Sequence, residues 1–196
     1  MKTENVKRMV GIALLIAIIV VVQLLCTAFP IKIGPVSISL VLVPIVIGAA
    51  LYGPGGGAIL GAAFSVVAVV CCINGMDGGG AMVFQANPLL CILVVMLKGT
   101  LAGAVSGWVY QLLSEKNSYI ALLCAAIVCP VVNTGVFLIG MALFFMDVLR
   151  VWAGGSDVVG YIITGLVLIN FLPELLLNIL MTPASQRILR VVRRNS

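Results

Sequence analysis

The sequence predicts an all-α integral membrane protein, a bundle of six transmembrane helices with both termini cytoplasmic, and three observations predict it. Of the 196 residues, 63% are hydrophobic and only 9% are charged, with a mean hydropathy of +1.29, whereas a soluble domain carries roughly 25% charged residues. The apolar residues fall in runs of about 20, the length that crosses the roughly 30 Å hydrocarbon layer of a bilayer. The cations gather at the ends of those runs. In a six-span arrangement Lys2, Lys7, Arg8, Lys116, Arg187, Arg190, Arg193 and Arg194 share one side, and Lys32 and Arg150 take the other. Lysine and arginine are retained on the cytoplasmic side, so the richer side, which holds both termini, is cytoplasmic.

The first span is expected over 9–29, entered by Lys2, Lys7 and Arg8. No small-residue cleavage site follows a short apolar core, so it reads as a retained span. Pro30, Gly34 and Pro35 then make an outer loop, and a shorter span over 37–52 carries Pro44. Gly53-Pro54-Gly55 turns the chain directly into a third span over 56–73, which makes these two a tight antiparallel pair. Residues 74–87, with Gly78-Gly79-Gly80, are too rich in glycine for a spanning helix and read as a mobile loop or partial lid. The fourth span covers 88–113 and is closed by Ser114-Glu115-Lys116-Asn117; the fifth covers 119–146. Residues 147–157 read as a loop, the sixth span covers 159–181, and a basic tail fills 182–196. Trp152 at an outer end, and Trp108 with Tyr110 at an inner end, fit the interfacial positions that aromatics favour. The whole chain is thus one membrane domain.

Composition also excludes function classes. With no histidine, the usual general base and metal ligand is missing. The six cysteines lie within or beside apolar segments without metal-site or disulfide spacing, and they read as small apolar fillers. The net charge of +5 sits at the termini, next to apolar runs, which suits membrane orientation and not nucleic acid. The glycine run 53–57 lacks the Gly-Lys-Ser/Thr of a phosphate loop. The expectation is therefore a protein that is not an enzyme and needs no cofactor or metal.

Lys98 is the most informative residue, because it lies about ten positions into the fourth span, where a charge costs on the order of 3 kcal/mol unless compensated. It either faces a wet cavity and holds an anionic ligand group or pairs with a buried carboxylate, and Glu174 is the carboxylate within a span. Asn170, Glu174 and Asn178 recur every four residues and form a polar stripe on one helical face. Pro173 frees the carbonyl of Ile169. Asn133 and Thr134 follow Pro130 inside the fifth span and need polar partners, from a ligand or a neighbouring helix. Small residues recur at a spacing of four in Ala13 and Ala17, in Gly57 and Gly61, and in Gly99, Gly103 and Gly107. Such rows let helices approach closely; the glycines read as internal packing, and Ala13 with Ala17 could dock an outside partner.

On these residues the chain resembles the substrate-binding S components of energy-coupling factor (ECF) vitamin transporters. Ala13-Leu-Leu-Ile-Ala17 is similar to that family's docking motif on its first helix, and residues 48–58, from Gly48 to Ala58, to its junction of the second and third helices. The closest likeness is to pantothenate-type members, through Gly34-Pro35-Val36-Ser37-Ile38-Ser39, the Asn133-Thr134 pair, the Asn170-Phe-Leu-Pro173-Glu174 run, and Lys98 where those proteins tend to place an arginine. Lysine keeps the charge but not the two-pronged grip of arginine. The resemblance implies a subunit of the prokaryotic cell membrane that binds a small vitamin-like anion, pantothenate above others. Its substrate contacts would be Lys98, Asn133, Thr134, Ser37, Ser39, Asn170 and Glu174. Its partners would be a transmembrane coupling subunit, docked at Ala13 and Ala17, and two ATPase subunits. Riboflavin or folate would call for more aromatic stacking than the outer halves of the spans provide. The rivals from other classes are a membrane thiol oxidoreductase using Cys71-Cys72 and a scaffold without a ligand.

Overall fold

The computed structural model describes residues 2–28, 40–155 and 157–194. The helices are α1 (Lys2–Ala28), α2 (Leu42–Ile73), α3 (Gly78–Ala86), α4 (Pro88–Ser114), α5 (Ser118–Phe144), α6 (Met146–Ala153), α7 (Val158–Tyr161) and α8 (Leu172–Arg194). A π-helical segment, Ile162–Phe171, joins α7 to α8. Among the described residues the protein is entirely helical, and five stretches are long and apolar enough to cross a membrane: Asn5–Ala28, Leu42–Ile73, Pro88–Ser114, Ser118–Phe144 and Val158–Val192. Their outer faces are apolar too. Leu14, Leu89, Ile139, Leu143 and Leu180 are each more than 60% exposed, an arrangement that hydrocarbon favours and water opposes.

Helix α2 is broken at Gly53, whose φ of 76° and ψ of −171° suit glycine alone. Pro54 then restarts the helix, its fixed φ matching a first turn. A straight helix would hold residues 48 and 60 about 18 Å apart. Instead Gly48 lies against the Leu60 side chain and Gly57 against Ala49, so the arms 42–52 and 54–73 fold back on each other. The second arm meets α4 through glycines: Gly57 faces the carbonyl of Gly103, and Gly61 that of Gly99, leaving no room for a Cβ. Because the pairing runs in opposite directions along the two chains, these segments are antiparallel. Across α4 and α5, the Ser106 hydroxyl donates to the Ala125 carbonyl at 3.2 Å. Among the described residues, the backbone of α1 comes close to that of α2 and of no other helix.

Several boundaries differ from the sequence reading, each for a physical reason. Residues 78–86, expected as part of a mobile loop, are helical: Gly79 is buried, and a side chain on Gly80 would strike Cys72 and Asp77. Those glycines serve close approach. Residues 147–153, expected as loop, belong to an amphipathic helix that begins at Met146, with Val148, Leu149 and Ala153 buried and an exposed Arg150–Asp147 ion pair of 3.0 Å. Eight residues are too few for hydropathy averaging to register, and Gly154, at a φ of 59°, ends the helix. The fifth span stops at Phe144, and the tail from 182 onward continues α8 as helix through Arg194. Trp108 is exposed as an interfacial ring would be, but Tyr110 is buried, its hydroxyl 3.1 Å from that of Ser118.

The helix starts were encoded locally. The Asn117 side chain accepts from the Tyr119 and Ile120 amides at 2.9 and 3.2 Å, and Asn87 accepts from Leu90 with Pro88 in the first turn. Asn117→Ala is expected to cost about 1 kcal/mol, read as a lowered thermal midpoint in detergent. An unchanged midpoint would show that the cap adds nothing to stability.

Candidate functional site

Four helical elements bring Lys98, Asn133, Thr134, Asn170 and Glu174 to one cavity of about 110 Å³, which also receives Gln23 and Thr27 from α1 and Trp152 from α6. Lys98 stands on α4, ten residues or about 15 Å from its start. Asn133 and Thr134 project from α5, one turn past Pro130. Asn170 lies one residue before the end of the π segment, and Glu174 lies in the first turn of α8. Asn133, Thr134 and Glu174 are buried.

The Lys98 ammonium lies 4.8 Å from the centroid of the Phe137 ring and 6.0 Å from that of Phe64. Ring faces attract a cation by about 0.5–2 kcal/mol, which offsets part of the desolvation cost of the charge. No ion pair joins Lys98 to Glu174, and neither has an ion-pair partner elsewhere among the described residues. The structural alternative raised by the sequence, in which these two satisfy each other directly, is not what the structure adopts. Asn133 Oδ1, Asn170 Oδ1, Gln23 Oε1 and Trp152 Nε1 are buried without a hydrogen-bond partner among the described residues. Unmade hydrogen bonds at buried groups cost about 1–3 kcal/mol each, so a cavity that collects four of them is shaped for a polar occupant.

The polar stripe on the last helix divides. Asn170 and Glu174 face the cavity, but Asn178 donates to the Glu174 carbonyl at 2.9 Å and packs among Val43, Leu122 and Ala126. Thr182 and Ser185 likewise donate to carbonyls four residues earlier. This lower part of the stripe is helix packing. Before Pro173, the backbone widens into the π segment, where the Leu172 amide reaches the Val167 carbonyl five residues back. Ser37 and Ser39 lie outside the described residues. Ala13 and Ala17 are exposed on α1.

Compared with models of protein families, residues 7–185 match the ECF transporter, substrate-specific component. The chain belongs to that family. Comparison with curated proteins and with solved structures gives no match. As an ECF S component it is a non-catalytic transport subunit, a multi-pass protein of a prokaryotic membrane, and it pairs with an energy-coupling module.

Sequence reasoning missed several cavity residues of this S component. Gln23 and Thr27 stand one turn apart, tied by Thr27 Oγ1 donating to the Gln23 carbonyl at 2.8 Å. A polar pair four residues apart in an otherwise apolar span was the signal available for them. Phe64, Phe137 and Trp152 carried no such signal, since an aromatic in an apolar run looks the same whether it faces lipid, core or cavity. The cavity therefore has more aromatic lining than the sequence reading assigned it. Among the cysteines, the thiols of Cys72 and Cys91 meet on the cavity wall, while Cys71 accepts from Thr27 Oγ1 at 3.8 Å. All six thiols are free, and the sequence neighbours Cys71 and Cys72 have different partners.

Proposed function

We propose that this S component captures a small vitamin-like anion, pantothenate above others, from outside the cell and delivers it inward with its energy-coupling module. The observation that carries the reading is the Lys98 ammonium, which among the described residues no carboxylate pairs and which faces a cavity whose buried amide oxygens lack partners there. A carboxylate would take the ammonium, and hydroxyl and amide groups would take Asn133, Thr134, Asn170 and Glu174, with Ser37 and Ser39 contributing from the first outer loop. Counting each arm of α2 as a crossing gives six spans with both termini on one side, and the cation distribution makes that side cytoplasmic. Calorimetric titration of the purified chain with pantothenate, using riboflavin, folate and biotin as competitors, tests the substrate. Saturable pantothenate heat that the competitors do not displace supports it; binding of another vitamin in its place rejects pantothenate and keeps the transport class.

A second reading has its own observation. Phe64, Phe137 and Trp152 all line the cavity, which favours a vitamin with a ring, such as riboflavin or folate. The same competition decides between the two.

For docking, Ala13 and Ala17 lie on the exposed side of α1, opposite the buried Leu15 and Ile19. Small side chains there leave a shallow strip on which a partner helix can lie close. The coupling subunit would dock on it, the S component would topple against that subunit, and the two ATPase subunits would reset it. Ala13→Leu with Ala17→Leu is expected to reduce uptake in cells by at least about tenfold while calorimetric binding stays unchanged. Unimpaired uptake would place the docking face elsewhere.

A further inference from the structure

The charged and hydrogen-bonding groups around the cavity are out of balance. Among the described residues, two carboxylates, Asp77 and Glu174, share it with one ammonium, Lys98. Glu174 is only 4% exposed, and among the described residues its carboxylate accepts no hydrogen bond and joins no ion pair. A carboxylate so deeply placed needs donors. Gln23 adds a second acceptor: with its Nε2 donating to Thr27 Oγ1 at 3.5 Å, its buried Oε1 has no partner among the described residues. Asn133, Asn170 and Gln23 can turn either edge of their amides toward a ligand, but Glu174, as an ionised carboxylate, only accepts. A bare anion would satisfy Lys98 alone and would set its charge against two carboxylates.

Resting on the reading of this cavity as the substrate site, we propose that the substrate is a donor-bearing acid: its anionic group lies on the Lys98 ammonium, and its hydroxyl, amide or amine N–H groups are accepted by Glu174 and Gln23. Such a molecule would join elements whose backbones stand apart. Among the described residues the α1 backbone comes close to that of α2 and of no other helix, and those of α4 and α8 do not come close to each other. A ligand held by Gln23, Lys98 and Glu174 ties all three helices, so occupancy and rigidity of the bundle rise together.

The test titrates the full chain in detergent with two sets of monocarboxylates. Pantothenate, biotin and tryptophan carry donors beside the acid; nicotinate, lipoate and octanoate carry none. The expected result is a binder in the first set and none in the second, with Glu174→Gln weakening that binder by about tenfold or more. Gln23→Leu supplies an independent variant if Glu174→Gln fails to accumulate as folded protein, and it is expected to weaken binding in the same direction. A donor-free acid binding as tightly, or both variants leaving the donor-bearing acid unaffected or better bound, overturns the inference and leaves the cavity as an anion site. Binding of biotin or tryptophan but not pantothenate rejects pantothenate and sustains the inference. Silence from both sets overturns the acid reading and the inference with it.

Discussion

Replacing Lys98 with methionine is expected to abolish ligand binding while leaving the bundle folded and at least as heat-stable. Methionine keeps the length and flexibility of the lysine stem and fills irregular apolar space, so the packing of Phe64 and Phe137 around it is preserved. What it removes is the charge. Truncating one partner of a buried, hydrogen-bonded charge pair costs about 2–5 kcal/mol, a loss of roughly 30-fold upward. The unliganded protein loses nothing comparable, because Lys98 has no ion-pair partner among the described residues. Its charge in a span costs on the order of 3 kcal/mol by insertion scales, offset in part by the rings at 4.8 and 6.0 Å. The melting temperature of the empty protein should therefore hold or rise as affinity disappears. Lys98→Arg preserves the charge and suits the ring faces, and it should retain binding. The pair of variants is read by calorimetry and thermal unfolding side by side. Methionine binding as well as lysine would remove Lys98 from the site.

Gly61→Leu is expected to have the largest effect on folding. A Cβ at Gly61 meets the Gly99 carbonyl, with the Thr100 Cα 3.2 Å away, and these are backbone atoms that cannot swing aside. Overpacking a filled site costs about 1–3 kcal/mol, and here the seam itself must open. Apolar side chains gain little by leaving lipid for one another, so the association of these helices depends on close van der Waals contact. Gly103→Leu strikes the Gly57 carbonyl on the same seam and should behave alike. Both variants should lose the monodisperse folded peak on size-exclusion chromatography in detergent. Ala13→Leu is the control, adding similar bulk on the exposed face of α1, and it should elute as the parent does. A Gly61→Leu variant that elutes and melts normally would contradict the α2–α4 packing.

In the sequence the two kinds of small-residue row look alike. Ala13 and Ala17 have the same spacing as Gly57 and Gly61, yet one row is exposed and the other is sealed against α4. The stripe of Asn170, Glu174 and Asn178 was legible as one face of a helix. That the first two border a cavity while the third is bonded to the Glu174 carbonyl depends on what stands opposite, and opposite Asn178 stand Val43 and Leu122, distant in the chain. Residues 78–86 show the same limit from the other side. Three consecutive glycines oppose a helix by backbone entropy alone, but a side chain on Gly80 would occupy the space of Cys72 and Asp77.

The sequence by itself determined the solvent, the helical class, the break at Gly53 and the capped starts at Asn87 and Asn117. Each of these rests on quantities local to the chain: transfer free energy summed over a run of residues, the φ that only glycine adopts, and side chains that bond amides two or three residues onward. It also marked Lys98, Asn133, Asn170 and Glu174, because a polar group in an apolar run is conspicuous wherever it points. Only the tertiary structure decided that these four share one cavity, that Phe64, Phe137 and Trp152 line it with them, and that Lys98 and Glu174 stand there without pairing. Those outcomes depend on the rotation and depth of helices packed against one another, and the forces that set rotation and depth act between residues far apart in the chain.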